Sequence, residues 1–144
     1  MKRIAFVAAL AAALLISTAA LAAIRTYSGN VSSGTITFKS KKVNHKTVLQ
    51  KLLFQTVPIK CNSGNGTMSG QDQLDSLPVK NNKFRVVLNA TDPKFNAKLV
   101  FAGKITGADA KGTFHLSGKK VPLDDTSIGK NCDTKVLDWK ATSN

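Results

Sequence analysis

The chain has 144 residues, with 21 lysines and arginines against 8 acidic residues, for a formal net charge of +13. A length in this range is that of one domain with one hydrophobic core. The strong positive charge predicts long-range attraction to polyanions, or alternatively serves solubility alone.

The first 22 residues have the pattern of a cleavable secretory signal peptide. Two cations at 2–3 precede an apolar run over 4–16, and Ala20 and Ala22 form an A-x-A cleavage site. We predict cleavage after Ala22 and a secreted protein, extracellular or in the cell envelope. The alternative is an uncleaved membrane anchor, but the run is rich in alanine and ends at a good cleavage site.

Residues 23–144 are the predicted mature domain, and loss of Lys2 and Arg3 lowers the net charge from +13 to +11. Its acids are all aspartates, and Arg25 and Arg85 are its only arginines. Lysine offers a diffuse point charge, whereas arginine offers a planar fork that reads phosphate or carboxylate with fixed geometry. A lysine-rich, arginine-poor surface therefore indicates non-specific attraction, or solubility and protection of strand edges.

Alternating apolar and polar residues predict strands along most of the mature chain. The first two form a hairpin, Thr26–Val31 with Thr35–Lys39. Five later strands are predicted, at Leu74–Val79, Lys83–Ala90, Phe95–Thr106, Thr113–Leu116 and Leu137–Ala141. In the last of these, Leu137, Trp139 and Ala141 share one face, which predicts that Trp139 is a core residue.

Two segments are harder to interpret. Residues 47–60 fit either a helical stripe or a strand, and we favour a strand entering Cys61, preceded by an irregular turn. Lys119–Asn131 lacks periodicity, which predicts a long loop. The pattern as a whole predicts an all-β fold, a single antiparallel β-sandwich or partly open barrel of about 7–9 strands.

Cys61 and Cys132 are the only cysteines. A lone pair in an exported chain predicts a disulfide bond between them. The chain has no C-x-x-C pair, and only His45 and His115 remain as further soft metal ligands. We therefore expect no redox site, no metal and no cofactor.

Paired carboxylates are the first candidates for hydrolytic chemistry. The pairs Asp72/Asp75 and Asp124/Asp125 both lie in turn-like sequence, so they are expected to form turns or caps. The polar segment Cys61–Gly66 is typical of a mobile loop and could bind a ligand, although ordinary turns have the same composition.

A nucleophile–histidine–acid triad could be composed from Ser117, His115 and Asp109. No nucleophile-elbow motif surrounds the serine, and nearness in sequence is not the geometry that such a triad requires. His45 lies in a basic turn and is expected to be solvated. We predict no catalytic residue.

Several short motifs together resemble a poorly characterised group of exported bacterial β-domains. They are Tyr27-Ser28-Gly29, a strand running into Cys61, the segment 78–84, and Cys132 followed by Leu137-x-Trp139-x-Ala141. The resemblance implies a disulfide-linked β-sandwich and brings no activity with it, because none is established for the group. Members commonly have glycine beside the second cysteine, where this chain has Asp133–Thr134.

The sequence therefore favours an exported, non-enzymatic β-sandwich that acts by binding or structural contact, with an unknown ligand and as a monomer. One alternative is a small secreted hydrolase or inhibitor whose site forms only in three dimensions. Another is a non-specific binder of anionic polymers, through weak contact of lysines with an envelope polymer or other polyanion. Lysines gathered into a stripe on one side of the domain would favour this last alternative.

Overall fold

The computed structural model describes residues 23–144, so the predicted signal peptide lies outside the described residues. Nine strands form in this part of the chain. They are β1 (Ile24–Val31), β2 (Gly34–Val43), β3 (Lys46–Cys61), β4 (Gly64–Pro78), β5 (Lys83–Asn89), β6 (Asn96–Thr106), β7 (Asp109–Pro122), β8 (Ile128–Asp133) and β9 (Leu137–Ser143). Within residues 23–144 there is no helix long and apolar enough to span a bilayer.

The strands form one antiparallel sheet in the order β4-β3-β2-β1-β9-β7-β6-β5. Strand β8 lies off this path and pairs with both β7 and β3, so the sheet curls back on itself. The predicted all-β class, the antiparallel pairing and the number of strands are confirmed. The two layers belong to one continuous sheet, and the result is not a closed, regular barrel.

Strict alternation of side chains puts the apolar residues of each strand on the inner face. In β2, for example, Ile36 and Phe38 are buried while Thr35 and Lys39 are exposed. The largest fully buried side chains share this inner face, and they are Trp139, Tyr27, Phe38, Phe101, Phe114, Ile36, Leu49 and Leu52. Five of the aromatic rings form one cluster, in which Phe38 lies within 6 Å of Tyr27, Phe84, Phe101 and Trp139.

Residues 47–60 are strand throughout, which confirms the favoured strand into Cys61 and corrects the irregular turn expected before it. Their pattern resembles a helix because irregularities in the pairing of β3 with β4, near Leu49 and between Phe54 and Val57, shift the inward phase. The sequence prediction for 119–131 was wrong in extent. Strand β7 continues to Pro122 and β8 begins at Ile128, which leaves a short connection.

The alternation of apolar and polar residues does not identify β8 as a strand, because its inward residues are small. Gly129 and Cys132 are buried, whereas a strand in an ordinary core would carry large apolar residues there. A Cβ on Gly129 would overlap the sulfur atoms of both Cys61 and Cys132, so the disulfide needs the glycine at this position.

The Cys61–Cys132 disulfide is present, as predicted. It joins the end of β3 to β8, next to the bridge between Lys60 and Asp133 and a hydrogen bond from the Asn62 N–H to the Lys130 carbonyl. The covalent link therefore holds the place where the sheet closes on itself. Within the Cys61–Gly66 segment only Asn62 and Ser63 lie between β3 and β4, so the segment is a two-residue turn with its flanking strand ends and not a mobile loop.

The two ends of the sheet, β4 and β5, are joined by the turn at Asn81–Asn82 and then separate. Both asparagines have φ values of about 50–60°, as in the tight turns that suit a hairpin. Beyond the turn, an open groove between the two strands is floored by apolar core residues such as Phe54, Met68 and Leu99.

Candidate functional site

The two carboxylate pairs considered in the sequence form no common site. Asp72 and Asp75 lie within β4, so the expectation that they form a turn was wrong, whereas Asp124 and Asp125 lie in the β7–β8 connection. Asp124 accepts a hydrogen bond from the Thr67 hydroxyl at 2.7 Å, which ties the β7–β8 connection to β4. Asp125 accepts hydrogen bonds from the hydroxyl and the N–H of Ser127, and these lower the pKa of its carboxyl. Both are structural contacts of a loop, as the sequence predicted.

His115 contacts a different acid from the one considered in the sequence. Its Nε2 lies 2.9 Å from Oδ1 of Asp133 on β8, and Asp109 takes no part. Partial burial raises the pKa of Asp133, but the Lys135 N–H at 2.6 Å and the neighbouring His115 outweigh it and lower the pKa. No group of three potential metal ligands occurs in residues 23–144.

Trp139 is 1% exposed, so the prediction that it is a core residue is confirmed. Its indole N–H reaches the carbonyl oxygens of Ala102 and Thr113, at 3.2 and 3.1 Å. Its ring packs on Phe101 with centroids 5.1 Å apart. A buried ring cannot act as a platform for sugars or bases.

The outer face of four neighbouring strands carries a feature that the sequence did not reveal. Lys83 on β5 lies directly opposite Lys104 on β6. Lys111 on β7 lies opposite both Lys104 and Lys140, the latter on β9. These four exposed lysines, here called the lysine row, cross the sheet at right angles to its strands. With strands about 4.8 Å apart, the row spans about 14 Å.

The lysine row has no carboxylate partner in the described part of the chain. Both ion pairs among residues 23–144 involve Asp133, on β8. Lys80 also faces Lys83, across the turn before β5. Lysines face each other elsewhere as isolated pairs, at Lys39 with Lys51 and at Lys120 with Lys130. Like charges directly opposite one another destabilise a sheet, so four in succession call for an explanation other than packing.

Two carboxylates border the row, one on each side. Asp109 precedes Lys111 by two residues on β7, and Asp138 precedes Lys140 by two residues on β9. Because β7 and β9 are antiparallel, with Asp109 opposite Thr142 and Asp138 opposite Thr113, the two acids lie on opposite sides of the row. Neither approaches a lysine within 4 Å.

Open depressions lie along both sides of the row. One is lined by Ala102, Gly103, Gly112 and Thr113, and the other by Thr106, Ala110 and Thr142. Because these side chains are small, the lysine side chains project beyond the surrounding surface. Gly103 is small for an internal reason as well, since a Cβ there would overlap the ring of Trp139 and the carbonyl of Lys111.

No family model, curated protein or solved structure matches this chain significantly.

Proposed function

We propose that the mature chain is an exported, non-enzymatic β-domain that binds anionic polymers through the lysine row. The supporting observation is the alignment of Lys83, Lys104, Lys111 and Lys140 on four adjacent strands. Such an alignment destabilises the free protein, because each ammonium group adds to the repulsion on its neighbours. A polyanion laid along the row removes this repulsion and releases its own condensed counterions.

The chemistry of the row suits attraction of many anions better than recognition of one. Lysine ammonium groups are flexible, strongly hydrated point charges and hold no fixed geometry for a phosphate or carboxylate. Arg85 lies one row away, opposite Ala102, and does not join the lysines. Binding is therefore expected to be sensitive to salt and to depend little on the sequence of a nucleic acid.

Export is part of this proposal and is supported by two features. The A-x-A motif follows an apolar run in residues 1–22, outside the described part of the chain. The disulfide also suits an oxidising compartment. The experiment is N-terminal sequencing of the secreted protein, which should begin at or near Ala23 and not at Met1.

Binding is tested by replacing all four lysines of the row with glutamine and titrating the mature protein with heparin and with single-stranded DNA. The matched control replaces Lys46, Lys60, Lys94 and Lys119, which are exposed and lie away from the row. Both variants lose the same charge. The row variant should bind about 10-fold or more weakly at low salt. The negative slope of log affinity for single-stranded DNA against log salt should become shallower by about 3, since each of the four contacts contributes about 0.7.

The control variant should lose much less affinity and keep most of the salt slope. Equal losses in the two variants would mean that net charge alone attracts the polymer, and the row would have no special part. Absence of binding by the unmodified protein to either polymer would show that the charge serves solubility.

A further inference from the structure

The surroundings of the row narrow the class of polymer. We infer that the ligand is a single unbranched acidic polysaccharide chain lying across the strands, an inference that rests on the proposed function. Three features of the outer face carry it: the carboxylates beside the row, the neutral polar residues that continue it, and the absence of exposed aromatic rings.

The carboxylates limit the width of the surface along the lysine row on which an anionic polymer can lie. Asp109 and Asp138 lie on opposite sides of the row, each on the strand that carries Lys111 or Lys140. An anionic group displaced sideways from Lys111 or Lys140 approaches one of these acids and is repelled, whereas Arg85 borders the row only on β5. A single chain fits between them, whereas a DNA duplex or an anionic membrane presents charge over a wider area and meets both.

The row continues beyond Lys140 as uncharged polar residues in the same cross-strand register. Lys140 lies opposite Asn30 on β1, Asn30 opposite Thr35 on β2, and Thr35 opposite Gln55 on β3. All three are exposed. Amide and hydroxyl groups at these positions donate and accept hydrogen bonds, as do the hydroxyl groups of a sugar. The complete line, here called the cross-sheet track, therefore offers charged contacts at one end and neutral ones at the other.

The track offers nothing on which a nucleic acid base could stack. Binding of single strands without sequence preference combines a basic groove with exposed aromatic rings. The large exposed apolar side chains of residues 23–144 are aliphatic, and Trp139 beneath the row is buried. A chain of sugar rings carrying carboxylate or sulfate groups needs no stacking surface and matches both parts of the track.

The test compares size-defined acidic oligosaccharides with single-stranded DNA of equal charge, duplex DNA and vesicles containing anionic lipid. The unmodified protein should bind the oligosaccharide most tightly. Replacement of Asn30 and Thr35 by alanine should lower the affinity for the oligosaccharide about 3-fold to 10-fold, as expected for the loss of one or two hydrogen bonds. The affinity for single-stranded DNA should be nearly unchanged.

A second pair of variants tests the width of the path. Asp109→Asn with Asp138→Asn should improve binding of duplex DNA more than binding of the oligosaccharide. Asp72→Asn with Asp92→Asn makes the same change in charge away from the row, and it should affect both probes alike.

The outcomes separate this inference from the proposed function. If the four-lysine variant loses binding but all probes bind in proportion to their charge, the row is a polyanion site and the polysaccharide inference is wrong. Tighter binding of single-stranded DNA, duplex or vesicles than of the oligosaccharide also overturns the inference. If no probe binds the unmodified protein, the proposed function itself fails.

Discussion

The inner and outer faces of β5, β6, β7 and β9 carry very different side chains, although neighbouring residues of each strand alternate between the two faces. On the inner face, Phe84, Gly103, Gly112 and Trp139 lie in one cross-strand row, with two large rings flanking two glycines. On the outer face, the next row is the four lysines. The inner row follows from packing, because Gly103 makes room for the Trp139 ring and Gly112 makes room for the backbone of the neighbouring strand β6. The outer row opposes packing, since it places like charges side by side, so a binding role explains it better than stability does.

The largest effect is expected on the inner face. Trp139→Ala removes a ring that contacts Phe38, Phe84 and Phe101, and should destabilise the domain by about 3–5 kcal/mol. The measurement is denaturant unfolding of the mature protein. Thr113→Ala, on the outer face opposite Asp138, is the matched control and should change stability by at most about 0.5 kcal/mol. A loss below about 1 kcal/mol for Trp139→Ala would show that the ring is not a core residue.

A smaller loss is expected at the glycine beneath the ring. Gly103→Ala adds a methyl group that overlaps Trp139 and the backbone of Lys111, so the domain should lose about 1–3 kcal/mol by overpacking. Gly107→Ala is an informative comparison, because Gly107 has open space around it but a φ of 63°. If Gly103→Ala left the free energy of unfolding unchanged, the space needed by the Trp139 ring would not be the reason for a glycine at this position.

The two faces also differ in how far the sequence predicts them. Alternation identifies Phe84 and Trp139 as inward residues, and the same reasoning puts Lys140 outward. The hairpin from β6 to β7 turns at Gly107, so its register follows from local sequence. The place of β9 between β1 and β7 does not, because it depends on contacts between residues far apart in the chain. Without that pairing, Lys140 cannot be aligned with Lys111, and the row stays hidden.

The lysine row itself should be a source of instability in the free protein. Replacement of its four lysines by glutamine is expected to stabilise the domain by about 0.5–1 kcal/mol at low salt, because repulsion between facing ammonium groups is removed. The gain should shrink at high salt, where exposed charges are screened. The variant with Lys46, Lys60, Lys94 and Lys119 replaced should gain less. Equal stability of the row variant and the unmodified protein at low salt would indicate that the lysines point away from one another.

The smallest effect is expected where an outer-face charge does have partners. Asp133 accepts a hydrogen bond from the Lys135 N–H and lies beside His115, and these contacts keep its pKa in the folded protein below the ordinary value of about 3.9. A lowered pKa means that the ionised carboxylate stabilises the fold above the pKa of the unfolded chain. That contribution is lost as the pH falls through the lower pKa of the folded state. Asp133→Asn should therefore cost about 0.5 kcal/mol near neutral pH, as for a partly exposed pair, and progressively less below pH of about 4. Denaturant unfolding across this range measures the difference, with Asp72→Asn as a control that has no hydrogen-bond or ion-pair partner among the described residues.

The contradicting outcome is a difference in stability between Asp133→Asn and the unmodified protein that stays constant from neutral to acidic pH. The loss would then come only from the altered hydrogen bonds of the asparagine side chain. The negative charge of Asp133 would contribute nothing to stability.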